Sequence, residues 1–157
     1  MWRRILTGAA AGATGTTALN AVTFLDMALR GRPPSRTPER SVEALVERSG
    51  LTVPGDHDER SNRVQGVAAL LGLATGGCIG AVIGAVDVAL GGAIGRRSIV
   101  SSGAAFTVVA LVAANGPMTG LGVSDPRRWT AGDWTSDVVP HVAYGVVSAL
   151  TYRSLNP

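Results

Sequence analysis

Four long apolar runs leave this chain few folds to choose from. They occupy residues 5–29, 64–94, 98–115 and 134–152. A helix needs about 20 mainly apolar residues to cross a bilayer, and in hydrocarbon every backbone polar group must be satisfied within the segment. The first run carries a single charge, Asp26, the second Asp87 and the fourth Asp137; the third carries none. The expectation is an all-α polytopic membrane protein. A single domain over residues 1–157 forms a four-transmembrane-helix bundle, with an extramembrane link over 30–63. Trp2-Arg3-Arg4 resembles the start of a signal peptide, but the run behind it continues well past an h-region.

An even number of spans puts both termini on one face, side A, together with the short link 95–97. Side B then holds the link 30–63 and the link 116–133. Trp2 and Tyr152 fall at the side A boundary, and Trp129 and Trp134 at side B, as interfacial aromatics do. Side B carries nine of the 14 arginines. It therefore leans cytoplasmic, although Arg3 and Arg4 ahead of the first span pull the other way.

The long link has its own order. Thr37-Pro38-Glu39 reads as a helix start, with Thr37 as the hydroxyl cap and Pro38 at the first helical position. Val42, Leu45, Val46 and Leu51 give an apolar stripe opposite Glu39, Glu43 and Glu47, and Gly50 ends the segment. This is a short amphipathic helix lying on the membrane surface or on the bundle. Asp56-His57-Asp58 has metal-ligating residue types, but Asp56 or Asp58 capping the second span is the simpler reading.

Composition excludes several function classes. The net charge is +3 and every basic residue is Arg, but no basic stripe with interleaved aromatics exists, so no nucleic-acid partner is expected. Cys78 stands alone, which leaves no disulfide framework and no thiolate metal site. There is no nucleophile–base set, phosphate loop or metal motif, and two histidines are too few for a zinc ligand set. No catalytic residue, metal or cofactor is therefore expected.

The 21 glycines far exceed the usual share of about 7%, and they cluster inside the apolar runs. Gly72, Gly76, Gly80 and Gly84 recur every four residues and so share one helix face. Such a ridge lets a second backbone approach closely, so that packing contacts replace the hydrophobic drive that lipid removes. Gly8 and Gly12 begin the same pattern in the first run, and Thr16, Asn20, Thr23 and Asp26 continue it. The third run offers Gly103, Thr107 and Asn115 on one face; the fourth offers Asp137, His141, Tyr144, Gly145 and Ser148. Turned inward, these faces make a tightly packed bundle.

Depth gathers Asp26, Asn115, Asp137 and His141 in the side B half, with Asn20 and Tyr144 nearby. Asp137 and His141 lie one helical turn apart and can touch. Pro140 between them has no N–H, which frees the Ser136 carbonyl. An ionisable group in a span is a functional hypothesis by default, and here the competing reading is a structural lock. Asp87 falls near side A, where an interfacial ion pair with Arg96 or Arg97, or with Arg3 or Arg4, is expected.

Ala11-Gly12 with Thr16 early in the first span, and His141-x-x-Tyr144-Gly145 late in the last, are similar to a broad group of small uncharacterised four-helix bacterial inner-membrane proteins. The resemblance implies a four-helix membrane protein and carries no assigned activity. Two function classes stay open. One is a structural, assembly or accessory subunit of the cytoplasmic membrane, packing through its glycine faces on another membrane protein or on its own copies, with the lipid bilayer as its surroundings. The alternative is a small transporter or proton-conducting protein using the Asp/His cluster.

Overall fold

The computed structural model describes residues 1–157 as six α-helices and no strand. They are α1 (Trp2–Arg30), α2 (Thr37–Arg48), α3 (His57–Ala89), α4 (Ala93–Arg96), α5 (Ile99–Gly120) and α6 (Ala131–Leu155), with a 3-10 turn at Pro126–Arg128. α1 is central. It packs on α3 along one side and on α6 along another; α5 closes against α6, and α2 lies on the start of α3. The two chain ends and the 90–98 link meet at one end of the molecule, where Arg3 donates to the Leu155 carbonyl and Arg153 to the Arg97 carbonyl. At the other end Arg30 donates to the Ser136 hydroxyl, and Arg48 of α2 to the Leu121 carbonyl.

Two helices, α3 and α5, are long and apolar enough to cross a membrane. α1 and α6, with 29 and 25 residues, match them in length. Their composition falls short because they spend positions on Thr, Asn, Ser, His and Asp. Some boundaries also differ from the sequence reading. The second run was expected to continue to Ile94, but α3 stops at Ala89, because Gly91 (φ 60°) and Gly92 (φ 85°) take the left-handed conformation that only glycine adopts freely. The chain then restarts as the short α4. α5 runs past Asn115 and through Pro117 to Gly120. Thr37 does not cap α2; it is the first helical residue behind Arg36, and its amide bonds the Ser35 hydroxyl instead. Asp56 caps α3 by accepting from the Glu59 amide at 2.9 Å. Thr130 and Asp133 form a reciprocal capping box at the start of α6, and the Thr130 hydrogen bonds hold the Asp133 carboxyl below its usual range.

The core is small and unusually polar. The largest fully buried side chains are Tyr144, Tyr152, Phe106, Asp87 and Ser148, whereas Leu6, Phe24, Leu70, Val108, Val112 and Leu150 are exposed. A second cluster of Val42, Val64 and Ala68, joined by Val46 and Val53, holds α2 on α3. The α2 stripe is thus only partly used: Leu45 and Leu51 remain exposed.

The glycines explain how α1 and α3 come so close. A Cβ on Gly8 would overlap the Gly80 carbonyl, one on Gly12 the Gly76 carbonyl, and one on Gly84 the Arg4 carbonyl. From the other side, a Cβ on Gly80 would overlap the Gly8 carbonyl, and one on Gly76 the Thr16 hydroxyl. Gly145 of α6 plays the same part against Thr107 and Gly103 of α5. Gly72 departs from the expected ridge. Nothing lies near it, because α1 and α3 have diverged by that level. Gly15, outside the every-fourth pattern, packs tightly on Tyr144 and Ser148, since α1 needs a second small face toward α6.

Gly80→Ala should therefore lose about 1–3 kcal/mol, because its methyl meets backbone that cannot swing away. Gly72→Ala should be neutral or gain up to about 1 kcal/mol from helix propensity. Unfolding the two variants side by side in detergent measures this difference, and equal losses would place Gly72 in a packed seam after all.

Candidate functional site

The six residues singled out from the sequence as a polar site do not form one cluster. Three of them do connect. The Asn115 amide on α5 donates to Asp137 Oδ2 on α6 at 3.0 Å. His141 Nδ1 lies 2.7 Å from the Asp137 carbonyl oxygen and 3.6 Å from Asp137 Oδ1. A carbonyl only accepts, so the short contact makes Nδ1 the protonated nitrogen. Nε2 then carries the ring's free lone pair. His141 is buried at 9% exposure, and Pro140 beside it interrupts the helix ladder at Ser136.

The other three go elsewhere. Asp26 is engaged by Arg32 Nε at 2.5 Å and by Arg30 Nη1 at 3.4 Å. Arg32, just past the end of α1, is nearer than anything α6 offers. The Ser136 hydroxyl still reaches Asp26 at 3.4 Å, so this carboxylate touches α6 one residue before Asp137 without sharing a bond with it. Asn20 is half-buried and makes no side-chain hydrogen bond within the chain. Tyr144 passes the small face of Gly15 and donates to the Gly76 carbonyl on α3 at 2.8 Å. It thereby ties α6 to α3 directly.

The most fully coordinated polar group lies at the opposite end. Asp87 is 1% exposed. Its Oδ1 accepts from the amides of Ile94 at 2.7 Å and Gly95 at 3.2 Å. Its Oδ2 accepts from the Tyr152 hydroxyl at 2.8 Å and faces Arg4 Nη1 at 3.2 Å. Of the expected partners Arg4 is used, whereas Arg3, Arg96 and Arg97 are not. Arg96 donates to the Gly91 carbonyl, and Arg97 lends its own carbonyl to Arg153. The cause is the glycine turn, which aims the free amides of α4 at Asp87 and carries the arginines past it. Asp87 is in effect the missing N-cap of α4, supplied from the preceding helix. Ser102 of α5 bonds the Ile94 carbonyl at 2.8 Å, and Phe106 packs on the Tyr152 ring at 6.1 Å between centroids. The Gly91-Gly92 pair was the signal in the sequence, as a helix stop within an apolar run.

Chemically the two ends differ. Asp87 has a donor on every side, and no lone pair points into open space. Asn115–Asp137–His141 is a short polar cluster in which one ring nitrogen bonds nothing in the chain. No group of three or more His, Cys, Asp or Glu side chains is close enough to hold a metal ion.

Replacing Asp87 by Ala should cost about 3 kcal/mol or more, since it strands two amides, a phenol and a guanidinium. Arg96→Ala should stay within about 0.5 kcal/mol of the parent, as surface changes do. Denaturant unfolding of both separates the observed pairing from a pairing with Arg96. Comparison with known protein families, with curated proteins and with solved structures returns no match to this chain.

Proposed function

We propose that this chain is a multi-pass protein of the cytoplasmic membrane that crosses the bilayer four times with both termini on one face, and that it serves as a structural or accessory subunit. Residues 69–75 of α3, Ala-Leu-Leu-Gly-Leu-Ala-Thr, carry the reading. All seven are exposed, over nearly two helical turns. A helix that is apolar all round needs burial or an apolar solvent, and here the protein supplies no cover. The apolar windows of α3 and α5 are only 28% and 22% buried, unlike the core helices of a water-soluble fold. The polar groups of α6 turn inward, which lets a helix of modest hydropathy span.

The accessory role draws on the packed interior. Between Asp87 and Asp137 the space is filled by Ala11, Phe106, Tyr144 and Ala149, each at most 1% exposed. Such a body is suited to holding a shape against neighbours. The proton-conducting reading has one observation in its favour, the Asn115–Asp137–His141 cluster. It belongs to the same four-span body.

Two measurements test these readings. In a background where Cys78 is replaced by Ser, Ser35→Cys and Ser154→Cys should label from opposite faces of a membrane; labelling from the same face would sink the four-span topology. His141→Ala should lower stability by about 1–2 kcal/mol through loss of its hydrogen bond and packing, with no change in proton flux across liposomes. Normal stability with abolished flux would move the assignment to the proton-conducting reading.

A further inference from the structure

An open groove of about 500 Å³ runs along the last turns of α5, between Leu111, Val112, Gly116 and Gly120 on one wall and Trp129 and Trp134 on the other. Gly116 and Gly120 make it: a Cβ at either would meet nothing, so the helix surface is hollowed there. The two indoles pack edge to face with centroids 5.0 Å apart. The Trp129 N–H is satisfied by the Ser124 hydroxyl at 3.0 Å, which fixes its ring. Pro126 lines the groove, and the next two residues, Arg127 and Arg128, have side chains 87% exposed. A single carboxylate, Asp125, accepts from Arg127 Nε at 2.9 Å and Nη2 at 3.1 Å and sits 3.7 Å from Arg128, so the turn stays net positive and Arg128 keeps the freer guanidinium. Arg48 from α2 donates to the Leu121 carbonyl at the C-terminal end of α5.

An apolar trough, a pair of tryptophans and two exposed arginines that directly follow the lining residue Pro126 match the parts of one ligand class. We infer that this groove binds an anionic phospholipid, with an acyl chain along Gly116 and Gly120 and the phosphate at Arg127 and Arg128. The inference rests on the membrane reading above and adds to it a chosen lipid at a chosen place. Guanidinium groups pair with phosphate through parallel N–H···O bonds. Basic clusters beside a span favour anionic headgroups over zwitterionic ones, whose cation offsets the phosphate. Tryptophan flanks the headgroup level by preference.

The experiment uses the full chain with Trp2→Phe, so that Trp129 and Trp134 are the only fluorophores of their kind. It is reconstituted in phosphatidylcholine vesicles with a minor fraction of acyl-brominated lipid, either phosphatidylglycerol or phosphatidylcholine. At equal mole fraction, brominated phosphatidylglycerol should quench several-fold more strongly. Arg127→Gln with Arg128→Gln should abolish that preference while leaving the shared quenching. Gly120→Leu, which fills the trough, should weaken quenching by both lipids. Equal quenching by the two lipids in the parent chain overturns the inference. So does a dimer that shields the indoles from both, which would make a second copy the occupant. A chain that fails to float with vesicles of either kind overturns the membrane reading itself, an outcome separate from loss of lipid preference.

Discussion

The buried carboxylate of Asp87 is the point on which the arrangement of helices depends. A charge with 1% exposure is tolerable only if its partners surround it. Those partners reach Asp87 on α3 from three other segments: Arg4 on α1, the Ile94 and Gly95 amides opening α4, and Tyr152 on α6. Moving any one of these helices along its axis by a turn would strand the charge. The interaction therefore fixes the longitudinal register of α1, α3 and α6. Their glycine and alanine faces fix only how close they lie, since a smooth small-residue surface would slide with little penalty.

The seam between α1 and α3 answers a different need. Backbones that touch through Gly8, Gly12, Gly76 and Gly80 leave little room for large side chains at the centre. Many large apolar residues are left to the outside, and beside Phe106, Ile79 and Ile83 the interior is given to Tyr, Ser, Thr and Asp. Tyr144 turns that constraint to use. Its ring fills space that the small residues leave, and its hydroxyl satisfies a carbonyl of α3 across the width of the molecule. The same seam explains where packing ends. Beyond Gly76 the two helices part, and α2 rather than α1 covers Val64 and Ala68 on α3.

Helical character, the position of the long elements, the cap at Asp56 and the close approach at Gly76 and Gly80 were legible in the sequence, because each rests on spacing within one segment. What spacing could not resolve was competition between segments. Asp26 looked like a partner for His141 by depth, but Arg30 and Arg32 are closer along the chain. Asp87 had Arg96, Arg97, Arg3 and Arg4 as candidate partners by depth; Arg4 is the one that pairs, because a turn made by two left-handed glycines presents backbone amides and carries Arg96 and Arg97 past. Gly72 fitted the four-residue ridge, yet a ridge is occupied only as far as its partner helix stays parallel. Gly15 and the second small face of α1 were missed because a search at one period finds one stripe, while a central helix needs two.

The glycine turn at 91 and 92 also has a bearing on the order in which the chain is made. Three of the four donors to Asp87 lie within the first 95 residues: Arg4, Ile94 and Gly95. The fourth, Tyr152, comes much later in the chain, on α6. An α1–α3 pair closed by α4 can thus shelter its own charge while the remainder is still on the ribosome. The last helix then arrives at a dock already shaped to receive a single phenol. Vectorial synthesis and the final geometry favour the same sequence of events, with the N-terminal pair as template and the C-terminal helix as its latch.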